Sequence, residues 1–253
     1  MDSENQVICW FSAGATSAVS AKLAVKKYPH VRVIYCDTGG EHFSNKQFVK
    51  DVEKWIAAPV EIIKNDKFTD HFDVFNKRRF IVGIHGAPCT IELKKKIRER
   101  IQEVDGIQIF GFSVEEKKRA SDFQTNQFEL NLEFNLIEAN LSKGDCLAML
   151  QNAGIKLPFM YQKQKSGVPY DHNNCIGCPK GQQGYWNKIR IDFPDVFERM
   201  AKLERKLDAA VNKKYINGVR HRLFLDELNP KAGNFKKETK IECSMFCHIA
   251  EKE

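Results

Sequence analysis

Hydrophobic positions in this 253-residue chain fall into short apolar runs separated by stretches with helical spacing. Val7, Ile8, Cys9, Trp10 and Phe11 form the first run, of strand length. Small residues follow from Ser12 to Ser17. Ala18, Val19, Ala21, Leu23, Ala24 and Val25 then recur as in a helix. Further strands are predicted at Val31–Cys36, Val60–Ile63, Ile107–Phe110 and Leu132–Ile137. A helix with Phe48, Val52, Trp55 and Ile56 on one face lies between the second and third. Ser142–Ala153 predicts another, closed by Gly154, and Trp186–Lys206 reads as a helix interrupted at Phe193-Pro194. Pro88 should stop a preceding helix, and Thr90 can start the next. Strands alternating with helices predict the α/β class, with a parallel sheet covered by helices on both faces.

From Tyr161 the pattern turns polar, with Gly and Pro, so the chain divides into an α/β domain over 1–160 and a small helical, cysteine-bearing region over 161–253. Residues 229–240 are rich in Pro, Gly and Lys and read as a loop or linker. There is no internal repeat.

Charge changes this picture little. Forty Lys and Arg against 33 Asp and Glu give a formal net charge of +7, compatible with nucleotide or nucleic-acid partners. No apolar run approaches membrane-span length, so no membrane partner is expected. The polar start M-D-S-E-N-Q lacks a signal-peptide pattern, so a cytoplasmic location with reduced thiols is expected.

The candidate chemistry begins at the strand ends. A strand, a loop of small residues and a helix make a recurrent phosphate cradle: small side chains let the backbone approach, and helix-start N–H groups point at the anion. Ser12, Ala13, Gly14, Ala15, Thr16 and Ser17 are the cradle candidates, with the three hydroxyls as added donors or a helix cap. In a parallel sheet, ligands sit beyond the carboxyl ends of the strands. Asp37, Thr38 and Gly39, after the second strand, share that edge. Asp37 suits a ribose hydroxyl, a metal or a helix cap. Gly111, after the fourth strand, sits there too. Lys94, Lys95 and Lys96 either neutralise a polyphosphate or form a solvated helix face.

Eight cysteines in a reducing compartment point to metal binding or sulfur chemistry. Cys175 and Cys178 are spaced C-x2-C, which lets two thiolates face one metal. Cys243 and Cys247 are spaced C-x3-C, and Cys89 stands alone upstream. A zinc site would use Cys175, Cys178, Cys243 and Cys247. An iron–sulfur cluster would use Cys89, Cys175, Cys178 and one of the last pair. Alternatively, Cys243 and Cys247 are ordinary residues of a tail. Cys9, Cys36 and Cys146 sit in apolar patterns and read as small buried hydrophobes.

Five stretches, in order, resemble the phosphoadenosine phosphosulfate reductase family, relatives of the PP-loop ATP pyrophosphatases: Phe11–Ser17, Tyr35–Phe43, Pro88–Lys94, Gly111–Ala120 and the run from Asn135 to Cys175–Pro179. The resemblance covers about residues 7–180 and implies an adenine nucleotide alpha hydrolase-like fold. The loop looks like the PP-loop S-G-G-x-D-S, with Ala13 in place of a Gly and Thr16 at the acidic position, where the pyrophosphatases use Asp to help hold Mg2+. Glu116 and Arg119 are in register with the family's Gly…Glu-Ser…Arg segment. Of the cluster-bearing reductases' Cys-Cys pair only Cys89 remains, so the fourth thiolate of a 4Fe-4S cluster would be Cys243 or Cys247. Glu242-Cys243-Ser244 is similar to the reductases' Glu-Cys-Gly, which makes Cys243 a candidate nucleophile.

Three functions follow from the resemblance. The first is ATP-pyrophosphatase-type sulfur transfer, adenylation and then thiolation, to an acceptor such as nucleic acid. Lys94, Lys95 and Arg119 would neutralise pyrophosphate, and a cysteine desulfurase would be a sulfur-delivering partner. The basic segments Lys202–Lys214 and Lys231–Lys240 are candidates for nucleic-acid phosphates. The second is reduction of an adenosine sulfonucleotide to sulfite, with Cys243 attacking sulfur and thioredoxin or glutathione as reductant. The third is a non-catalytic nucleotide-binding metal module.

Overall fold

The apolar run Val7–Phe11 is a strand, β1, buried along its whole length, as expected for a parallel strand covered on both faces. The computed structural model describes residues 6–83, 86–103 and 105–241. After β1 come α1 (Ala15–Lys27), β2 (Arg32–Asp37), α2 (Asn45–Ile56), β3 (Val60–Lys64) and α3 (His71–Arg78). A single turn, α4 (Pro88–Thr90), a π-helical segment Ile91–Lys95 and α5 (Lys96–Ile101) lead to β4 (Ile107–Phe110). Then follow α6 (Lys117–Asn126), β5 (Asn131–Glu133), α7 (Asn135–Glu138), α8 (Lys143–Asn152), α9 (Gln183–Asp192), α10 (Pro194–Leu207), β6 (Asn212–Ile216) and β7 (Val219–Leu223).

β1 to β5 form one parallel sheet in the order β3-β2-β1-β4-β5, flanked by helices. This is the α/β class that the alternation predicts. Cys9 pairs with Val33 of β2 and with Ile109 of β4, and buried Trp10 Nε1 donates to Gln108 Oε1 across β1–β4 at 2.8 Å. After β3 the chain crosses to the far side of β1, so β1–β4 is the topological switch point, where open α/β sheets bind ligands.

Contacts divide the chain into two compact units, each discontinuous in sequence. The first comprises residues 6–37, Phe43–Lys64 and Lys96–Phe159 and holds the five-stranded sheet. The second comprises Thr38–His42, Asn65–Lys95 and 160–241. Met160 begins one segment of the second unit, and 38–42 and 65–95 group with it.

Three elements differ from expectation. The fifth strand ends at Glu133, not Ile137, because Asn135 starts a helical turn: its Nδ2 donates to Ser20 O at 2.9 Å and its Oδ1 accepts from Ser20 Oγ at 2.8 Å, all buried. Thr90 does not start a helix. Pro88 does, at the first helical position after Ala87, where its missing N–H costs nothing. β6 and β7 form an antiparallel hairpin where no strand is predicted, overlapping the basic segment Lys202–Lys214 only at its start. Asn217 and Gly218 both have positive φ, 50° and 78°, as a type I′ hairpin turn demands. Cys9, Cys36 and Cys146 are buried as expected, and burial pushes the Cys9 and Cys146 thiols up to about 12. Among the described residues no helix is long and apolar enough to cross a membrane.

The second unit packs Tyr170, Tyr185, Trp186, Ile189, Phe75 and Met200 into one apolar cluster. A buried ion pair sits in α9: Lys188 Nζ lies 2.7 Å from Asp192 Oδ2, with side chains 4% and 1% exposed. Ser166 N, Ser166 Oγ and Tyr170 OH all donate to the Asp192 carboxylate, and Lys188 also donates to Ser166 Oγ and to Val168 O.

Glu204, fully buried in α10, accepts from Val211 N and Leu225 N, each at 2.6 Å. Burial, against the pull of those two amides, raises its pKa from 4.5 to about 7. Below pH 4.5 folded and unfolded chains both hold this proton. Between pH 4.5 and 7 only the unfolded chain releases it, so stability declines by about 3 kcal/mol as pH rises through that window, and stays flat above it. Urea melts across this range should show that decline in the parent and lose this component in Glu204→Gln. An identical pH profile in the two proteins refutes the assignment.

Candidate functional site

In the first unit, the loop from Ser12 to Ser17 follows β1 and opens α1. Its N-cap is Gly14, not a hydroxyl residue. Ser17, at the third helical position and buried, organises the loop from inside. Its Oγ accepts from Ser12 N at 3.1 Å and Gly14 N at 3.3 Å, and lies 3.0 Å from Ser12 Oγ. Ser17 is therefore a scaffold for the loop, half of a capping box, while Ser12 is exposed and Thr16 half-buried. The amides of Ala15, Thr16 and Ser17 start α1 and have no intrahelical acceptor. No acidic side chain lies in that first turn to neutralise it.

Ala13 has φ 54°, in the left-handed region, which favours glycine. This is the position at which the PP-loop pattern carries Gly, so the backbone has the glycine-type conformation although the residue is Ala.

Across the switch point, Gly111 follows β4. A Cβ there would lie 2.7 Å from Ser17 Cα and 3.0 Å from Ser17 N. Only glycine lets the end of β4 press against the start of α1. Ser113 then caps the turn before α6, its N–H donating to Glu116 Oε2 at 3.3 Å. Glu116 also pairs with Arg119, whose guanidinium lies 4.7 Å from the Phe112 ring centre. The Glu116 carboxylate thus serves the cap and holds Arg119, which is only 15% exposed. Asp37, at the end of β2, pairs with Lys64 Nζ at 3.6 Å. Ser12–Ser17, Asp37, Gly111, Glu116 and Arg119 all belong to this unit and follow carboxyl ends of its strands.

The second unit holds Thr38, Cys89, Lys94, Cys175 and Cys178. The C-x2-C segment is a tight knuckle. Gly177 has φ 77°, and the N–H groups of Gly177 and Cys178 both donate to Tyr185 OH, at 3.0 and 2.9 Å. Burial holds the Tyr185 hydroxyl far above its usual pKa, so it stays protonated. Cys175 Sγ lies 3.1 Å from Thr38 Oγ1. Gly40 is wedged beside it: a Cβ would be 2.2 Å from His71 Nδ1 and 3.2 Å from Cys175 Sγ. Cys89 packs against the apolar cluster that contains Cys178. Lys94 is buried in the π-helical segment, so it is not a solvated helix face.

His71, Tyr185 and Gly40 were not singled out from the sequence. His71 is buried, with neither ring nitrogen in hydrogen-bond geometry, and burial lowers its pKa to about 4. The signal was Asp70-x-x-Asp73, a cap pattern that puts His71 at the first position of α3; Asp73 N donates to Asp70 Oδ1 at 2.8 Å.

Cys243 and Cys247 lie outside the described residues. Among the described residues, no group of three or more His, Cys, Asp or Glu side chains is gathered to hold a metal. Of the cysteines expected to act as ligands, the described residues include Cys89, Cys175 and Cys178. The chain matches no family model and no curated protein.

Proposed function

We propose that the chain is a nucleotide-dependent sulfur transferase of the ATP-pyrophosphatase type, with an adenine nucleotide alpha hydrolase-like fold and an acceptor that is a nucleic acid. One observation carries the proposal. The Ser12–Ser17 amides and Gly111 flank the β1–β4 switch point, with the start of α1 positive and bare of carboxylates. That is the chemistry of a polyphosphate cradle.

In this scheme the phosphates of magnesium-bound ATP lie along the α1 N-terminus. The amides stabilise charge that grows on the departing pyrophosphate. An acceptor oxygen attacks the α-phosphorus, the α–β bridging P–O bond breaks, and pyrophosphate leaves. Sulfide-level sulfur from a donor then attacks the acceptor carbon, and AMP departs with the original oxygen. Arg119, which pairs with Glu116 in the segment after β4, would help offset that charge. A metal bound by Cys175 and Cys178 would supply a place to hold sulfur; no step here is routed through it.

Pyrophosphate release tests the scheme. The full chain with magnesium ATP and single-stranded nucleic acid should release pyrophosphate faster than with ATP alone. No pyrophosphate from ATP, with sulfite released from phosphoadenosine phosphosulfate and a thiol reductant, would overturn it in favour of the reductase.

A further inference from the structure

The β6–β7 hairpin has no structural explanation for its composition. Between Asp208 and Asp226 the chain contains no acidic residue, yet it carries Lys213, Lys214, Arg220, His221 and Arg222. The register sets Lys213 opposite Arg222 and Tyr215 opposite Arg220. Side chains alternate along a strand, so these four share one face, while Lys214, Ile216, Val219 and His221 share the other. Like charges directly opposite destabilise a ladder, and an isolated two-stranded ribbon is marginal in water. The hairpin also leaves Tyr215 62% exposed. A fold does not need these features, but a polyanion would exploit them.

We propose that the Lys213, Tyr215, Arg220, Arg222 face of this hairpin docks single-stranded nucleic acid, with phosphates on the three cations and a base stacked on Tyr215. The geometry suits it. Paired residues lie ~5 Å apart and successive same-face residues ~7 Å apart, so three cationic side chains surround one open ring. Lys213 Nζ is 5.9 Å from the Tyr215 ring centre. Arg222 is steadied by Asp208, 3.0 Å from its carboxylate, and both are exposed. The base of the ribbon is fixed by Gln183 Nε2 donating to Lys213 O at 3.0 Å. Stacking on an aromatic ring beside a cationic track is how single strands are held without sequence preference, and it requires a base face that a duplex hides. A lipid surface fits less well. The turn between the strands is polar Asn217-Gly218, and the aromatic lies on the cationic face, away from Ile216 and Val219.

The inference names the acceptor class of the sulfur-transfer scheme, but its test needs no nucleotide chemistry. Fluorescence anisotropy of the full chain with a labelled single-stranded oligonucleotide, over a range of salt, gives affinity and salt slope. Tyr215→Ala should weaken binding about tenfold. Lys213→Gln/Arg220→Gln should weaken it further and flatten the log–log salt slope by about 1.4. Both variants alter exposed side chains and should melt with the parent. Variants that bind like the parent overturn the proposal. So does tighter binding to duplex, or binding to phosphatidylserine vesicles and not to the oligonucleotide. A parent that binds the oligonucleotide through these residues, yet releases no pyrophosphate from ATP, leaves the docking site standing and removes the sulfur-transfer scheme.

Discussion

Asp192→Ala should destabilise the second unit by about 3–5 kcal/mol, lowering its melting temperature by roughly 10 °C. The substitution removes the partner of a cation only 4% exposed. It leaves Lys188 Nζ with Ser166 Oγ and Val168 O, two neutral acceptors. It also strips the acceptor from Tyr170 OH, Ser166 N and Ser166 Oγ. The cost is that of an orphaned buried charge and three orphaned donors, not the net worth of the pair. Replacing both members by apolar residues, Lys188→Met with Asp192→Leu, removes the charge and should recover a large part of the loss. Urea melts of the single and double variants measure both. A single variant within about 1 kcal/mol of the parent, or a double variant worse than the single, would show that this network contributes little. In the parent, desolvation lowers the Lys188 pKa, against the hydrogen bond and charge of Asp192, which favour the ammonium.

The two units differ in how much of them the sequence makes legible. Parallel strands buried on both faces are nearly continuous apolar runs, so Val7–Phe11 and Ile107–Phe110 are visible without any partner. The small-residue loop after the first strand is visible for the same local reason. What local pattern cannot carry is grouping across sequence distance. Thr38–His42 and Asn65–Lys95 belong with 160–241 because Thr38 meets Cys175, Gly40 meets His71, and Phe72 and Phe75 join the cluster around Trp186. Nothing in their own periodicity says so. The hairpin is hidden for a different reason. K-K-Y-I and V-R-H-R are solvated on both faces, so they lack the apolar alternation that marks a strand, and only Asn217-Gly218 signals the turn. The thiols show the limit most clearly. The C-x2-C spacing identified the knuckle, but spacing has no means of showing that Tyr185 OH takes the knuckle amides or that Thr38 sits on Cys175.

Gly111→Ala carries the second large effect, on ligand binding and not on overall stability. The added methyl group meets Ser17 Cα at 2.7 Å and Ser17 N at 3.0 Å. Both are backbone atoms, so no side chain can swing aside. Either the end of β4 or the start of α1 must move. Ser17 Oγ holds Ser12 N and Gly14 N, so a displaced Ser17 spreads the whole Ser12–Ser17 loop. Overpacking of this kind costs about 1–3 kcal/mol of stability, which a folded chain survives. A phosphate held by several amides tolerates no such shift, and ATP affinity should fall at least about tenfold, or roughly 1.4 kcal/mol. Pyrophosphate release should fall with it, while binding of the oligonucleotide to the β6–β7 hairpin should not change. Gly144→Ala is the control in the same unit: at the start of α8 a Cβ meets only Ser142 Oγ, at 3.5 Å, and alanine favours the helix by up to about 1 kcal/mol. Calorimetric titration of both variants with magnesium ATP separates the outcomes. If Gly111→Ala binds ATP as tightly as the parent, the nucleotide does not lie on the Ser12–Ser17 amides, and the switch point of this sheet serves some other ligand or none.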